Sequence, residues 1–167
     1  EQHFEMLVHP PEGLVRVVSG GQTGVDQAAL KAARQAGIET GGWAPRGWRT
    51  LDGTLPALAA WGLAEHASEG YPDRTIANVR DSCATLRFAH DYDSAGERCT
   101  LKAIRDEGRP YLDCVAEEPL SPSAVALWLE EKNVRVLNVA GNSEMSAPGI
   151  GAQAAEWLAK VFALARK

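Results

Sequence analysis

The feature that most constrains the fold is a short apolar run, residues 14–18, that ends directly in the glycine-rich stretch 19–24. A β-branched run bounded by glycines is typical of a buried strand that meets a tight turn. The residues that follow are rich in alanine, which favours a helix over residues 23–36, and Gly37 is a position at which that helix can end. This part of the sequence therefore predicts a strand, a tight turn and a helix in immediate succession.

The alternation of strand and helix continues along the chain. It predicts an α/β fold with a Rossmann-like, doubly wound, mainly parallel sheet flanked by helices on both faces. Residues 14–167 are predicted to form this single domain, after a loose N-terminal lead-in over residues 1–13. Residues 41–49, with three Gly and one Pro, are expected to be too irregular for a defined element. Further strands are predicted at 38–45, 58–65, 84–89, 110–114 and 134–139, and further helices at 73–82, 98–107, 122–132 and 150–166.

Charge and composition exclude several classes of partner. The chain has 17 Lys and Arg against 22 Asp and Glu, a net charge of −5, whereas nucleic-acid-binding proteins usually carry a positive excess. No apolar run reaches the roughly 18 residues of a membrane-spanning helix, and the first residues lack a signal-peptide pattern. The three cysteines have no metal-binding spacing. We therefore expect a cytoplasmic protein with no metal site, no nucleic acid partner and no membrane association.

The glycine-rich stretch is also the strongest candidate for a binding site. Glycines let a ligand approach backbone N–H groups, and the following helix directs its free N–H groups and positive dipole end toward the turn. The pattern is neither a Walker A loop nor G-x-G-x-x-G. The alternative to a binding site is a tight strand-to-helix turn that holds no ligand. Asp26 would either contact the ligand or stabilise the first helical turn. The candidate residues are Ser19, Gly20, Gly21, Gln22, Thr23, Gly24 and Asp26.

Two groups of side chains could assist this turn. Trp43 can stack on a flat heterocycle and Arg46 can bind a phosphate in a bidentate way. A partly buried loop whose arginines extend to solvent is equally consistent with the sequence. Arg74 and Asn78 recur at a spacing of four residues and therefore share one helical face with Asp81. A solvated polar face is the alternative for that second group.

Polar residues also follow the later strands, where ligands of open α/β sheets bind. Ser94, Gly96 and Thr100 belong to a small-residue turn that opens a helix and could form a second anion site. Asn138 and Gly141 lie at the end of the last predicted strand. His66 and His90 have no evident acid or base partner in the sequence and are interpreted as non-catalytic. Trp128 and Trp157 are candidates for interface anchors or for core packing.

Several of these motifs, in this order, resemble the molybdenum cofactor carrier family. That family lies within a wider Rossmann-like group of nucleotide-binding proteins, the lysine-decarboxylase-like or phosphoribohydrolase superfamily. The resemblance runs from Val17 to about Leu158. It is carried by S-G-G-Q-T-G-V-D at 19–26, G-G-W at 41–43, R-T at 74–75, N-V at 78–79, D-S at 81–82, A-T-L at 84–86, N-V-A-G at 138–141 and P-G-I at 148–150.

The resemblance implies a function as well as a fold. It implies a non-catalytic carrier and storage protein for molybdenum cofactor, a pyranopterin with a terminal phosphate, with no catalytic residues. It also implies a homo-oligomer, a dimer or tetramer, with molybdoenzymes as recipients of the cofactor. In that reading the backbone of residues 20–24 holds anionic oxygens, Trp43 stacks on the pterin, and Arg46 and Arg74 neutralise the anionic ends.

Two other functions stay open at this point: a nucleoside 5′-monophosphate phosphoribohydrolase and a nucleotide-ligand sensor. The phosphoribohydrolases carry a Gly-Gly-x-Gly-Thr-x-x-Glu turn, and on a gapless match Thr100 falls where their Glu stands. A neutral hydroxyl does not stabilise an oxocarbenium-like centre, which argues against hydrolysis unless Asp26 or Glu97 substitutes. Glu97 occupies the position of the motif's Thr, where a carboxylate would repel a phosphate.

Overall fold

The computed structural model describes residues 13–165 and contains a six-stranded, entirely parallel sheet. The strand order across this sheet is β5-β2-β1-β8-β6-β7. A separate two-stranded antiparallel hairpin, β3–β4, follows β2. The strands are β1 (Arg16–Val18), β2 (Glu39–Ala44), β3 (Arg49–Thr50), β4 (Gly53–Thr54), β5 (Leu63–Glu65), β6 (Ala84–Ala89), β7 (Tyr111–Val115) and β8 (Val136–Gly141).

Helices cover both faces of the sheet and fall into two groups. The first, fourth and fifth pack together, while the second and third pack against each other. This arrangement confirms the predicted doubly wound α/β fold. A 3₁₀ helix, Pro56–Trp61, precedes β5. The helices are α1 (Val25–Gln35), α2 (Tyr71–Arg80), α3 (Ala95–Glu107), α4 (Pro122–Glu131) and α5 (Ile150–Ala165).

The core lies between the sheet and these helices, and the sequence of the central strands reflects it. All six residues of β6 are buried, because helices cover that strand on both sides. Trp157 on α5 is buried against Phe88, with ring centroids 5.0 Å apart, so its place is in the core rather than at a free interface. Ser121 caps α4 by accepting a hydrogen bond from Ala124 N at 3.1 Å, and Pro122 follows in the first helical turn.

The strand predicted at residues 38–45 is confirmed as β2, whereas the irregular stretch predicted at 41–49 is wrong for residues 41–44 in β2 and for Arg49 in β3. The pairing partners β1 and β5 on either side of β2 hold this strand in the sheet. Its glycines fit because neighbours occupy their side-chain space: a Cβ on Gly41 would lie 2.1 Å from Arg16 Nη2. At Gly42, φ is +124° and a Cβ would lie 2.3 Å from Ser19 O.

Other element boundaries also differ from the sequence expectation. Helix α3 begins at Ala95 rather than 98, because Ser94 caps it, and residues 58–65 divide at the left-handed Gly62 into 3₁₀ helix and strand. The predicted lead-in lies outside the described residues except for Gly13. None of the helices described within 13–165 is long and apolar enough to cross a membrane.

Candidate functional site

A cavity of about 390 Å³ opens beside the carboxyl ends of β1 and β8. The chain leaves β1 toward β2 on one side, while β6 and β7 lie beyond β8 on the other. The cavity therefore lies at the topological switch point, where open α/β sheets bind their ligands. Its volume is within the usual range for small-molecule sites. The glycine-rich turn after β1, helix α2 and the first turns of α3 supply the rest of the wall.

The glycine-rich turn is built by close backbone packing. Ser19 Oγ donates to Asp26 O at 2.9 Å, which ties the turn to the first residues of α1. A Cβ on Gly20 would lie 2.6 Å from Arg74 Cζ, so glycine here leaves the space that the guanidinium occupies. Gly24 has φ of +82°, and a Cβ there would lie 2.3 Å from Asn142 O. These glycines bring α2 and the loop after β8 against the turn.

Asp26 is a buried part of the cavity wall rather than an exposed residue at the helix end. Its Oδ2 accepts a hydrogen bond from Gln22 N at 3.2 Å and lies 4.0 Å from Arg74 Nη2. Burial raises the pKa of this carboxyl to about 6, against the opposing effect of the Arg74 charge. Asp26 therefore changes charge much closer to neutral pH than an ordinary aspartate does.

Arg74 is the cation of the cavity. Its side chain is 11% exposed and its guanidinium carbon lies 5.5 Å from the centre of the Tyr71 ring. Nη1 donates to Thr75 Oγ1, whereas Nε is buried and has no hydrogen-bond partner among residues 13–165. An unmet buried donor costs about 1–3 kcal/mol. Arg74 therefore lines the cavity with a guanidinium that still has one unsatisfied donor within the described residues.

Glu97 lies in the first turn of α3 and is 5% exposed. Its backbone N donates to Ser94 Oγ at 3.3 Å. Its side-chain atom Oε1 is buried and lacks a hydrogen-bond partner within the described part of the chain. Burial, and to a lesser degree the Asp26 carboxylate, raise the pKa of Glu97 to about 7. The cavity consequently contains two acids that bind protons more readily than ordinary carboxyls.

An ion pair between the buried Arg87 and the exposed Asp113 supports the turn that carries Glu97. Arg87 on β6 donates through Nε and Nη2 to the two carboxylate oxygens of Asp113, both at 2.7 Å. Its remaining Nη1 donates to Glu97 O at 3.0 Å. The guanidinium also lies 4.7 Å from the centre of the Tyr92 ring. Arg87 therefore fixes the start of α3 relative to the sheet without lining the cavity.

The structure brings most of the residues singled out in the sequence to this cavity. Ser19, Gly21, Thr23 and Gly24 do not line it but build the turn behind it. Thr23 Oγ1 accepts from Glu144 N at 3.2 Å and so links the turn to the loop after β8. The predicted residues that line the cavity are Gly20, Gln22, Asp26, Arg74, Asn78, Ser94, Gly96, Thr100, Asn138 and Gly141.

Trp43 and Arg46 are not among the residues that line the cavity. Trp43 Nε1 donates to Asp81 Oδ2 at 2.9 Å, and its ring makes an edge-on contact with His66. Arg46 is exposed and pairs with Glu69 at 3.2 Å. Neither side chain therefore lies in the cavity wall, and the roles of pterin stacking and charge neutralisation expected for them stay predictions.

Sequence reasoning missed or misjudged other residues. Tyr71 and Cys99 line the cavity, and no local sequence pattern marks either one, because their place in the cavity wall depends on how α2 and α3 pack together.

His90, for which the sequence shows no acid partner, has one in the structure. Its Nδ1 contacts Glu117, and this hydrogen bond raises the pKa of the imidazole. Within residues 13–165, no group of three or more His, Cys, Asp and Glu side chains is placed to hold a metal ion.

Fold and cavity together define a Rossmann-like protein with a cavity at the carboxyl edge of its sheet. The chain belongs to the circularly permutated YpsA SLOG family, whose model matches residues 17–162. It is similar to a crystal structure named as a putative molybdenum carrier protein from Syntrophus aciditrophicus, with 31% identity and a TM-score of 0.81 over 90% of this chain and 96% of that one. This similarity confirms the resemblance to molybdenum carrier proteins. No match was found among curated proteins.

The raised pKa of Glu97 has a consequence for stability. Between pH 4.5, its ordinary pKa, and about 7, the folded protein holds a proton that the unfolded chain has lost. Stability contributed by Glu97 therefore falls as the pH rises through this window. We expect the free energy of unfolding of the wild type, relative to Glu97→Gln, to decrease between pH 5 and 8 in urea titrations.

The matched control for this measurement is Glu107→Gln, which changes an exposed carboxyl at the other end of α3. The difference between this variant and the wild type gives the baseline against which the Glu97→Gln difference is compared. A constant difference between wild type and Glu97→Gln would show that Glu97 titrates normally.

Proposed function

We propose that this chain binds a small phosphate-bearing molecule in the cavity at the switch point, and that this molecule is molybdenum cofactor, carried without chemical change. The observation that carries the proposal is Arg74, a buried cation whose Nε lacks a partner within residues 13–165 and which lines the cavity. A guanidinium of this kind suits a phosphate oxygen. The similarity to a protein named as a molybdenum carrier supports the choice of ligand.

The acids of the cavity are compatible with an anionic ligand because of their raised pKa values. Asp26 titrates at about 6 and Glu97 at about 7, so a substantial fraction of Glu97 is neutral near pH 7. A phosphate brought beside them would raise both pKa values further, because a like charge disfavours ionisation. The repulsion expected between Glu97 and a phosphate is therefore reduced by protonation.

A titration with purified molybdenum cofactor tests this function, with AMP as competitor and free adenine monitored in the same tube. We expect saturable binding of the cofactor and no release of adenine. Arg46→Ala is the matched control, since this exposed arginine pairs with Glu69 and does not line the cavity, and it should bind as the wild type does. Absence of cofactor binding would refute the carrier function.

One observation favours a second candidate, the hydrolysis of a nucleoside 5′-monophosphate. Asp26 and Glu97 are two cavity-lining carboxyls with different raised pKa values, and glycosidases use such pairs as acid and base. Thr100, at the position of the motif's Glu, donates its hydroxyl to Gly96 O at 3.0 Å and has no acidic function. Adenine release in the titration, lost in both Asp26→Asn and Glu97→Gln, would establish this activity in place of the carrier function.

A further inference from the structure

The side chain of Glu97 does not make the helix-capping hydrogen bond that its position in the sequence predicts. Ser94 and Glu97 form the S-x-x-E pattern of a capping box, in which the Glu side chain normally accepts a hydrogen bond from the N-cap backbone N–H. Only half of that box is present: Glu97 N donates to Ser94 Oγ, but Oε1 has no hydrogen-bond partner among residues 13–165. The carboxyl instead contributes to the cavity wall.

This arrangement is unfavourable for the protein alone. A buried acceptor without a donor loses its hydration and gains nothing in return. Glu97 shares the cavity wall with Arg74, whose Nε is an equally unsatisfied donor. The two unpaired atoms are complementary in their hydrogen bonding: Arg74 Nε is a donor without an acceptor, and Glu97 Oε1 is an acceptor without a donor. One ligand that carries both an anionic oxygen and an O–H or N–H group would satisfy both.

Resting on the proposed phosphate site, we infer that Glu97 is a ligand-binding and specificity-determining residue, which accepts a hydrogen bond from an O–H or N–H group of the molecule whose phosphate interacts with Arg74. A sugar hydroxyl and the ring N–H of a pterin share this chemistry. Inorganic phosphate provides no ring or sugar donor. The cavity should therefore distinguish a phosphate ester with such a donor from phosphate itself.

The charges around Glu97 act on the ionisation of its carboxyl in opposite directions. Asp26 from α1 and Asp113 from β7 disfavour its ionised form, while Arg87 from β6 and Arg74 from α2 favour it. Burial is the largest influence and acts with the two acids. A ligand donor at Oε1 would compensate the lost hydration, whereas protonation compensates it only in part. A bound ligand that donates to Oε1 should therefore supply the hydrogen bond that no neighbouring side chain within residues 13–165 supplies.

The test compares the affinities of inorganic phosphate and ribose 5-phosphate for the whole chain by calorimetry. Ribose 5-phosphate should bind more tightly than phosphate to the wild type. Glu97→Met removes the acceptor while keeping a similar volume, and the preference for the sugar phosphate should fall about tenfold. Glu97→Gln keeps an acceptor oxygen and should retain most of the preference. Glu107→Met, on the exposed end of α3, is the matched control and should retain all of it.

A second readout separates recognition from a structural role. Removing an unsatisfied buried acceptor should leave the unliganded protein at least as stable, so Glu97→Met should show an unchanged or higher thermal midpoint while losing ligand preference. A preference over inorganic phosphate that is equal in wild type and Glu97→Met for every donor-bearing phosphate ester tested would overturn the inference. If the thermal midpoint also falls in that case, Glu97 serves the fold.

A third probe, 6-hydroxymethylpterin phosphate, identifies the source of the donor, because its N–H donors all belong to the pterin, on the ring and on its amino group. Loss of preference in Glu97→Met for this probe but not for ribose 5-phosphate would assign the donor to a pterin N–H, and the reverse result would assign it to a sugar hydroxyl. Either pattern supports the inference. If phosphate binds but none of the donors improves affinity, the inference fails while the phosphate site stands. If none of the three probes binds, the phosphate site itself is refuted.

Discussion

Replacing Gly24 with alanine is expected to lower the free energy of unfolding by about 3 kcal/mol or more. Gly24 has φ of +82° and ψ of −126°, a conformation that residues with a Cβ rarely adopt. The added Cβ would also lie 2.3 Å from Asn142 O. That oxygen accepts from Val25 N at 3.2 Å, and the Asn142 side chain accepts from His90 N at 2.9 Å, so the loop has little freedom to move away.

Gly96→Ala is the matched control for this prediction. Gly96 lies in the first turn of α3, and a Cβ there would meet no atom within 4 Å. Alanine at this helical position should be neutral or stabilising by up to about 1 kcal/mol. Urea denaturation of both variants checks the pair of predictions. Equal midpoints for Gly24→Ala and the wild type would mean that the turn can relax, contrary to its packing.

Replacing Arg74 with glutamine should reduce the affinity for a phosphate ligand about 100-fold, because a charge-assisted hydrogen bond from a largely buried guanidinium is lost. The side chain is 11% exposed, which limits screening by water. Loss of the positive charge should also raise the pKa of Asp26 further, since Arg74 is the largest of the influences that lower it. Calorimetric titration with ribose 5-phosphate measures the affinity, and its pH dependence reports the change at Asp26.

Arg80→Gln is the control on the same helix, because Arg80 is exposed and pairs with Asp81 outside the cavity. This variant should bind the ligand as the wild type does, with a change of less than about twofold, as expected for a surface ion pair. If Arg74→Gln and Arg80→Gln weaken binding equally, the effect is one of general charge, and Arg74 has no specific contact with the phosphate.

The local sequence determined the elements of the fold and the position of the site along the chain. Apolar runs such as residues 84–89 and the glycine-rich stretch after β1 identify the strands and the turn, because burial and backbone freedom impose these patterns within a few residues. Alternation of strands and helices then leaves few topologies, and ligand sites in those topologies lie at strand ends. Ten of the candidate site residues accordingly line one cavity.

The tertiary structure alone decided which side chains face that cavity and which are left without partners. Trp43 and Arg46 are residue types that can stack on a ring and bind a phosphate, but they contact Asp81 and Glu69 instead of lining the cavity. Both contacts join segments that are distant in sequence. The S-x-x-E pattern predicts that Glu97 caps α3, yet in the folded protein its Oε1 is buried without a hydrogen-bond partner among residues 13–165. Hydrogen-bond satisfaction and desolvation depend on every neighbour in three dimensions, and residue spacing along one helix or strand does not contain that information.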